Sequence, residues 1–478
     1  MTGPNVKDLA LILPELMLVG TALVLILASR RIQKSNVAAI GTVLAALAAA
    51  LAAGAMGWNL SGDAKTGFDG MIIVDGYSQF FKVLIAAALA LVTLLSVRRI
   101  DAEHVRPAEY HALLLLASTG MMFVASSVDL LTLYLGLELT TLCSYILVGI
   151  TVDKPTSNEA AIKYFLLGSF GSAVLLYGIA LIYGVTGETG FEAISSALTA
   201  GNLTGHPILV AAIGLLVAGL AFKIAAAPFH AWAPDAYQGA SAPVAAFLAA
   251  ASKAAGLAAL GRVCLVAFDS EPEKSVLSAV LMGLAALSIG VGSIGAMAQT
   301  DMKRLLAYSS IAHAGYALLG VISMTPDGAS ATMTYAFLYV FMTLGAFGVV
   351  IALGQRGEKL DGFQGLAAQR PATAAIMLLF LLSLTGIPPT AGFVAKFVVI
   401  VSVIGAGHAW LAVLAVACSV ITAFVYLRVV VLMYMKEPQE PAPSRFPLAV
   451  SAALAVAALV TLFGGIFPEI LAPWAVSP

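Results

Sequence analysis

The stretch "AFKIAAAPFHAW" (Ala221–Trp232) interrupts a long apolar run with groups that a lipid-facing helix does not accommodate. Lys223 brings a cation, His230 is polar, and Pro228 lacks an amide hydrogen and clashes with the preceding helical turn. Irregular backbone at membrane depth is tolerated only where it lines a polar cavity or is buried in protein. The stretch therefore predicts a broken helix beside a polar interior.

The rest of the chain is strongly apolar. Of its 478 residues, 61% are hydrophobic and 10% are charged, and its mean hydropathy of +0.99 lies far outside the range of soluble domains. Its apolar runs are long enough to cross a bilayer as helices and lack the alternation of strands. We predict an all-α polytopic membrane protein, helical throughout, with about fourteen spans: 9–29, 36–57, 77–97, 109–126, 129–150, 158–184, 207–232, 241–266, 275–298, 302–323, 330–354, 372–403, 408–433 and 447–470.

Nineteen of the 24 basic residues fall in the connections or at the adjoining span ends, and they are distributed unevenly. The N-terminus and the even-numbered connections hold Lys7, Lys65, Arg262 and Lys274. The odd-numbered connections hold Arg30, Arg31, Lys34, Arg98, Arg99, Arg106, Lys154, Lys303, Arg304, Arg356, Lys359, Arg370, Arg428, Lys436 and Arg445. Because basic loops remain on the cytoplasmic side, the odd connections are expected there and both termini on the opposite, periplasmic side.

Five lysines fall inside the predicted spans. Lys82 and Lys163 lie about a turn inside their helix ends, where snorkelling to the interface competes with a functional role. Lys223, Lys253 and Lys396 are too deep to snorkel. A cation at mid-membrane is costly, so we interpret these three as functional, with a buried ion pair that merely joins helices as the alternative.

Two further ionisable groups lie at similar depth. Glu138, in "YLGLEL", approaches the midplane as Lys223 does, and we expect the two to pair as a proton switch. His313, in "SSIAHAGY", lies mid-span, where it is either a proton relay or a hydrogen-bonded packing residue. For His230 and Trp232, near the end of their span, an interfacial aromatic belt suffices.

A second break is predicted in "LTGIPPTAGFVAKF" (Leu384–Phe397), where Gly386, Pro388, Pro389 and Gly392 precede or flank Lys396. Spans four to eight and nine to thirteen then form two units of similar length, each with a broken, lysine-bearing fourth helix. An odd number of helices inverts the second unit relative to the first, as in secondary transporters. We predict an N-terminal three-helix segment (1–108), two five-helix units (109–268 and 269–435) and a C-terminal helix (436–478).

The segments "FKIAAAPFHAWAPDAYQGASAPVAAFLAAASKAAG" (222–256) and "DMKRLLAYSSIAHAGY" (301–316) resemble the signatures of a known family. It comprises the antiporter-like membrane subunits of proton-pumping NADH:quinone oxidoreductase, respiratory complex I. "YLGLEL" and "GIPPTAGFVAKF" are most similar to its subunit N branch. The resemblance implies fourteen helices in two inverted units, and proton-conducting roles for the positions that match: Glu138, Lys223, Lys253 and Lys396, with Lys163 as an additional lysine.

The sequence also predicts which cofactor sites are absent from this chain and which partners it has. Cys143, Cys264 and Cys418 lie singly in apolar runs, and no phosphate-cradling glycine loop is present, so we expect no metal site, iron–sulfur cluster, NADH or flavin here. The resemblance places flavin and iron–sulfur clusters in partner subunits. Expected partners are other membrane and peripheral subunits and the bilayer of a bacterial inner membrane, with no nucleic acid. Rival hypotheses are a multi-subunit sodium/proton antiporter without redox partners and a structural scaffold.

Overall fold

The computed structural model describes residues 6–32, 34–60, 64–201, 203, 205–439, 441, 443 and 446–469. Arg445 and both ends of the chain, on which part of the predicted sidedness depends, lie outside these residues. The described chain is a helical bundle with one small hairpin.

The N-terminal segment contains α1 (Val6–Leu11), α2 (Leu13–Leu27), α3 (Ser35–Trp58) and α4 (Gly76–Ala102). The expectation of helix throughout is wrong between α3 and α4, where β1 (Lys65–Gly67) pairs antiparallel with β2 (Ile72–Val74). Phe68, Asp69 and Gly70 have positive φ and turn the chain back on itself, so this connection satisfies its own backbone groups as a hairpin.

The next segment contains α5 (Pro107–Ser126), α6 (Leu130–Val148), α7 (Pro155–Thr186), α8 (Phe191–Ala200), α9 (Pro207–Lys223), α10 (Trp232–Gly239), α11 (Ala242–Phe247) and α12 (Lys253–Arg262). Helix α8 lies in a predicted connection and buries only Phe191, Ile194 and Leu198. Two π-helical stretches flank α12. Leu248–Ser252 joins it to α11, and Val263–Ala267 extends the same long element beyond Arg262.

The remaining helices are α13 (Glu271–Met297), α14 (Met302–Ile322), α15 (Pro326–Leu353), α16 (Leu366–Gln369), α17 (Pro371–Thr385), α18 (Ala391–Gly405), α19 (Ala409–Met435) and α20 (Leu448–Ile466). Short 3₁₀ turns at Gly354–Glu358 and Leu360–Phe363 follow α15. Helices α14 and α15 are almost entirely buried, so they form the centre of the bundle.

The membrane architecture agrees with the predicted spans. In the described parts of the chain, eleven helices are long and apolar enough to cross a bilayer. Shorter apolar helices cover the other predicted spans: α2, the two-part α9/α10 region, and the pair α17 and α18. The total of fourteen stays a prediction, because these pieces are too short to span singly.

Both predicted helix breaks are present. Helix α9 ends at Lys223, and α10 begins only at Trp232. Helix α17 ends at Thr385, and α18 begins at Ala391. Ala225 and Gly386 adopt positive φ in these breaks, which redirects the chain away from the helical path.

The two ends of the bundle differ in charge. At the end opposite the hairpin, which we call the basic end, Arg99 pairs with Glu103 and Glu358, and Lys303 also contacts Glu358. These contacts join the third, ninth and eleventh connections, all of which are odd-numbered. At the hairpin end, Arg262 pairs with Asp75 and joins the eighth connection to the second.

Candidate functional site

At the first helix break, Lys223 lies in a polar cluster inside the bundle. Its side chain is 7% exposed, and Nζ lies 3.3 Å from Glu138 Oε1. The ammonium also donates to Thr141 Oγ1 and Ser172 Oγ, each at 2.9 Å. Ser172 Oγ in turn donates to Glu138 Oε1 at 2.5 Å. The expected contact between Glu138 and Lys223 is therefore present, with a hydroxyl bridging the two charges.

Side chains from neighbouring helices satisfy the backbone of this break. Trp232 Nε1 donates to the carbonyl of Phe222 at 3.0 Å, and Ser288 Oγ of α13 accepts from the amide of Ala227 at 2.8 Å. The indole also stacks on Tyr164, with ring centroids 4.4 Å apart. An unpaired buried backbone group is costly, so these partners keep the break in place.

Trp232 therefore differs from its sequence interpretation. Only 3% of the residue is exposed, so the interfacial belt proposed for it is wrong. Its N–H donates to the Phe222 carbonyl of α9, which also accepts from the amide of Ala225, and its ring packs against that of Phe222 beside the break. His230, two residues earlier, is only partly buried, and its belt interpretation stays a prediction.

Lys253 begins α12 directly after the π-helical stretch Leu248–Ser252. It is 2% exposed, and its ammonium donates to the carbonyl of Ser310 on α14. Among the described residues, no carboxylate lies within ion-pair distance of it. Single π-helical turns within α-helices often mark functional positions, because the extra residue redirects the following side chains.

Lys253 and Lys223 lie on helices in direct contact. Gly256, one turn beyond Lys253, leaves no room for a Cβ against Ile224, the residue that follows Lys223. A side chain at this position would force the Ile224 side chain or α12 to shift, so glycine allows the close approach of α12 to the first break.

Helix α14 then connects Lys253 to the second break. Ser310, His313 and Tyr316 follow one another at intervals of three residues and share one face of the helix. His313 is buried, and Nδ1 lies 2.7 Å from the hydroxyl of Tyr335 on α15. Its ring is 5.9 Å from that of Tyr316, centroid to centroid. A protonatable ring is thus placed between two lysine sites.

Lys396 lies on α18 at the second break. Its Nζ donates to the carbonyl of Thr385 at 2.8 Å and to Ser419 Oγ at 3.2 Å. The ammonium also lies 4.5 Å from the centre of the Tyr316 ring, a favourable cation–π distance. No described carboxylate forms an ion pair with it, so the side chain is held by neutral partners.

The structure therefore groups five of the six candidate residues. Glu138 and Lys223 form an ion pair, Lys253 lies on the adjacent helix, and α14 carries His313 between Lys253 and Lys396. Sequence reasoning missed the hydroxyls that connect them: Thr141, Ser172, Tyr316, Tyr335 and Ser419. Only their spacing along helix faces could have indicated them, since single hydroxyl residues are common in such helices.

The sixth candidate, Lys163, lies apart from this line. Its side chain is 47% exposed and contacts Glu159 at 2.7 Å and Asp235 at 3.2 Å. Asp235 also accepts from Arg304 at 2.6 Å. Partial burial acts to raise the pKa of Asp235, but Arg304 and Lys163 outweigh it and hold that pKa below its usual range. Lys163 belongs to a polar cluster near the basic end.

Lys82 corrects a second interpretation. It does not snorkel, because its side chain is 0% exposed and Nζ lies 2.7 Å from Glu15 Oε1. The residue faces α2 rather than the interface. The sequence signal that was overlooked is Glu15 itself, an acidic residue within the first apolar run.

Candidate metal ligands do not gather in the described residues, where no group of three or more His, Cys, Asp or Glu side chains is placed to hold an ion. Cys143, Cys264 and Cys418 are buried and free.

Residues 127–422 match the family described as NADH:quinone oxidoreductase/Mrp antiporter, TM. The chain is 43% identical to NADH-quinone oxidoreductase subunit N of Desulfovibrio desulfuricans, over 98% of this chain and 97% of that protein. It is 42% identical to subunit N 2 of Rhizobium meliloti, over 95% and 94%.

Two solved structures have the same fold. A chain of respiratory complex I from Thermus thermophilus with bound aureothin superimposes with a TM-score of 0.82 at 34% identity, covering 97% of this chain and all of that one. A chain of the Mrp complex from Dietzia superimposes with a TM-score of 0.85 at 22% identity, covering 97% and 96%. The second likeness concerns the fold alone.

Proposed function

Because this chain belongs to the NADH:quinone oxidoreductase/Mrp antiporter family of membrane subunits, we propose that it translocates protons as the N-type membrane subunit of an NADH:quinone oxidoreductase. Its curated relatives at 40–43% identity carry the subunit N name. The resemblance drawn from its sequence motifs is thereby confirmed.

The observation that carries this proposal is the position of Lys223. A buried ammonium at a helix break, 3.3 Å from a carboxylate and bridged to it by Ser172, is costly to bury in a membrane protein. Broken helices near the midplane form the ion sites of secondary transporters. An ion pair that opens and closes can there control when lysine holds a proton.

We assign the line of buried groups as the proton path. Glu138 stabilises the protonated form of Lys223, and separating the pair favours release of the proton toward Lys253 on the adjacent helix. His313 lies between Ser310, which contacts Lys253, and Tyr316, which contacts Lys396, and can pass a proton along this face of α14. Lys396 lacks a described counter-ion, so it is suited to accept and release the proton last.

We assign Lys163 a supporting role at the basic end. Its ion pairs with Glu159 and Asp235 place charge beside the start of α14, where Arg304 also contacts Asp235. Half-exposed pairs of this kind rearrange at low energetic cost.

The redox chemistry is proposed to occur outside this chain. The described residues offer no cluster of metal-ligating side chains, and flavin and iron–sulfur clusters are assigned to partner subunits that drive this one by contact. We place the chain in a bacterial inner membrane with its basic end toward the cytoplasm and both termini toward the periplasm. We also retain the division into inverted units at 109–268 and 269–435.

The alternative, a sodium/proton antiporter subunit without redox partners, is less supported. The family description includes Mrp antiporters, but the Mrp likeness lies at 22% identity. The relatives above 40% identity are named as oxidoreductase subunits. Co-purification of the native chain with flavin- and iron–sulfur-containing subunits distinguishes the two.

The test of the proposal is Lys223→Ala in the intact complex, reconstituted into vesicles. We expect normal assembly and a lowered ratio of protons pumped to NADH oxidised, measured from dye quenching and absorbance. Lys359→Ala, which removes an exposed lysine, is the matched control and should keep the wild-type ratio. A wild-type ratio in an assembled Lys223→Ala complex would exclude Lys223 as a carrier.

A further inference from the structure

A second buried ion pair lies outside both five-helix units. Glu15 on α2 and Lys82 on α4 are 2.7 Å apart, and their side chains are 1% and 0% exposed. In the described residues, neither forms an ion pair with any third group. The proposed proton path from Glu138 and Lys223 to Lys396 does not use this pair.

The pair is poorly satisfied by hydrogen bonds. Apart from the 2.7 Å ion-pair contact between Glu15 Oε1 and Lys82 Nζ, the described residues offer no hydrogen-bond partner to the Glu15 carboxylate, to Nζ or to Oε1 of the nearby Gln79. An ionised carboxylate ordinarily accepts several hydrogen bonds when buried. Polar atoms left unpartnered in an enclosed site point to exchangeable water and protons rather than to a fixed structural contact.

A file of polar side chains connects the pair to the hairpin end. Asp75, Ser78, Gln79 and Lys82 share one face of α4. Gln79 Nε2 donates to Ser78 Oγ at 3.2 Å, and Ser78 Oγ donates to the Asp75 carbonyl at 3.1 Å. Lys82 lies seven positions after Asp75, which places it about 10 Å inside the bundle along α4.

The outer end of the file meets the helix that carries Lys253. Arg262 donates to both carboxylate oxygens of Asp75, at 2.8 and 2.9 Å. It lies at the end of α12, nine residues beyond Lys253. The Asp75 side chain is 13% exposed, whereas Ser78, Gln79 and Lys82 are buried. The file is thus partly exposed at Asp75 and fully buried at the ion pair of Glu15 and Lys82.

We propose that Glu15 and Lys82 form a proton-holding site at the inner end of this file, in exchange with the hairpin face of the membrane. The site takes up a proton from water on the Glu15 carboxylate, which forms an O–H bond and leaves the Lys82 ammonium unpaired. Release of that proton to water restores the ion pair. This inference rests on the proposed function, since the exchanged proton belongs to the same pumping cycle.

The competing role is a structural lock between α2 and α4. Replacing a buried ion pair by apolar residues of similar volume is often neutral or stabilising, whereas removing one partner is strongly destabilising. Glu15→Leu/Lys82→Met is therefore the informative variant, because it removes both charges together and keeps the packing.

The first measurement is the ratio of protons pumped to NADH oxidised by the intact complex in vesicles. We expect Glu15→Leu/Lys82→Met to assemble and to show a lowered ratio. Lys65→Met, which removes an exposed lysine at the same end, should leave the ratio unchanged. A wild-type ratio in the double variant overturns the inference, whereas it leaves the proposed function standing if Lys223→Ala still fails.

The second measurement tests access along the file and holds even if the double variant fails to assemble. Gln79→Cys should react in the intact complex with a small water-soluble methanethiosulfonate. Leu84→Cys, buried on the same helix, is the matched control and should stay unreacted, as should the three buried native cysteines. Equal protection of Gln79→Cys and Leu84→Cys shows a closed file and refutes the exchange with the hairpin face.

Discussion

Glu138→Gln should uncouple the first half of the relay. The change keeps the side-chain shape and removes the charge that lies 3.3 Å from Lys223. At that separation and an effective dielectric of about 20, the attraction is about 5 kcal/mol. Because the Glu138 side chain is 22% exposed, solvent screens part of this, and we expect the ammonium form of Lys223 to lose roughly 2–4 kcal/mol.

A loss of that size shifts the balance between protonated and neutral Lys223 by roughly 30- to 700-fold. The assay is proton pumping per NADH oxidised in vesicles containing the assembled complex, with Glu138→Asp as the charge-preserving control. Thr141→Val removes one neutral acceptor from Lys223 and should have a smaller effect. If Glu138→Gln pumped at the wild-type ratio while Lys223→Ala did not, the carboxylate would have no part in the switch.

Three further outcomes follow from the described contacts. Lys396→Arg should pump as poorly as Lys396→Ala, because guanidinium keeps its proton in proteins; recovery in the arginine variant would make Lys396 a fixed charge. Trp232→Phe should destabilise the complex by about 0.5–1.5 kcal/mol, seen as a lower melting temperature, since it removes the indole hydrogen bond to the Phe222 carbonyl and leaves that carbonyl only the amide of Ala225; an unchanged melting temperature would contradict this. Burial acts to raise the pKa of Asp75, but Arg262 and the hydrogen bonds from Ser78 together outweigh it and lower that pKa below the usual 3.8. Stability from this pair is therefore present above pH 3.8 and lost as the pH falls through the lowered value. The melting temperature of Asp75→Asn should lie below wild type at pH 7 and converge with it in strong acid; a constant difference would contradict the linkage.

The architecture was largely predictable because its signals are physical constraints of the bilayer. Long apolar runs must satisfy their backbone internally, so the predicted spans fall on helices, except at the two breaks. Pro228 and the Pro388–Pro389 pair cannot continue a helix, so both breaks were found from the chain alone. The contact between Glu138 and Lys223 followed because two opposite charges at similar depth each need a partner.

What the sequence could not predict depends on neighbours distant in the chain. Whether Lys82 reaches the interface or an acid depends on where α2 lies, and the packing places Glu15 against it. Trp232 is assigned to a belt by its position near a span end, but only the folded break shows its N–H donating to the Phe222 carbonyl. The short hairpin Lys65–Val74 lacks the length or alternation that identifies strands.

The hydroxyl partners were unpredictable for a related reason. Ser172 contacts Lys223, and Tyr335 contacts His313. Each hydroxyl lies on a helix different from the one that carries its partner. Nothing in their local sequence separates them from other hydroxyls in apolar helices, which usually donate to the carbonyl four residues earlier.

The contact between Lys396 and Thr385 joins the two half-helices of the second break, α17 and α18. Thr385 is the last residue of α17, so its carbonyl is one of the free acceptors at the negative end of the helix dipole. The ammonium of Lys396 caps that end while reaching across the gap from α18. If Lys396 gives up its proton, as we propose, the cap loses its charge, and the hydrogen bond from the Gly392 amide to Ser383 Oγ remains between the two half-helices. The proposed proton carrier of the second break is therefore also a contact between its two half-helices, so the charge on one nitrogen bears on how firmly α17 and α18 are joined.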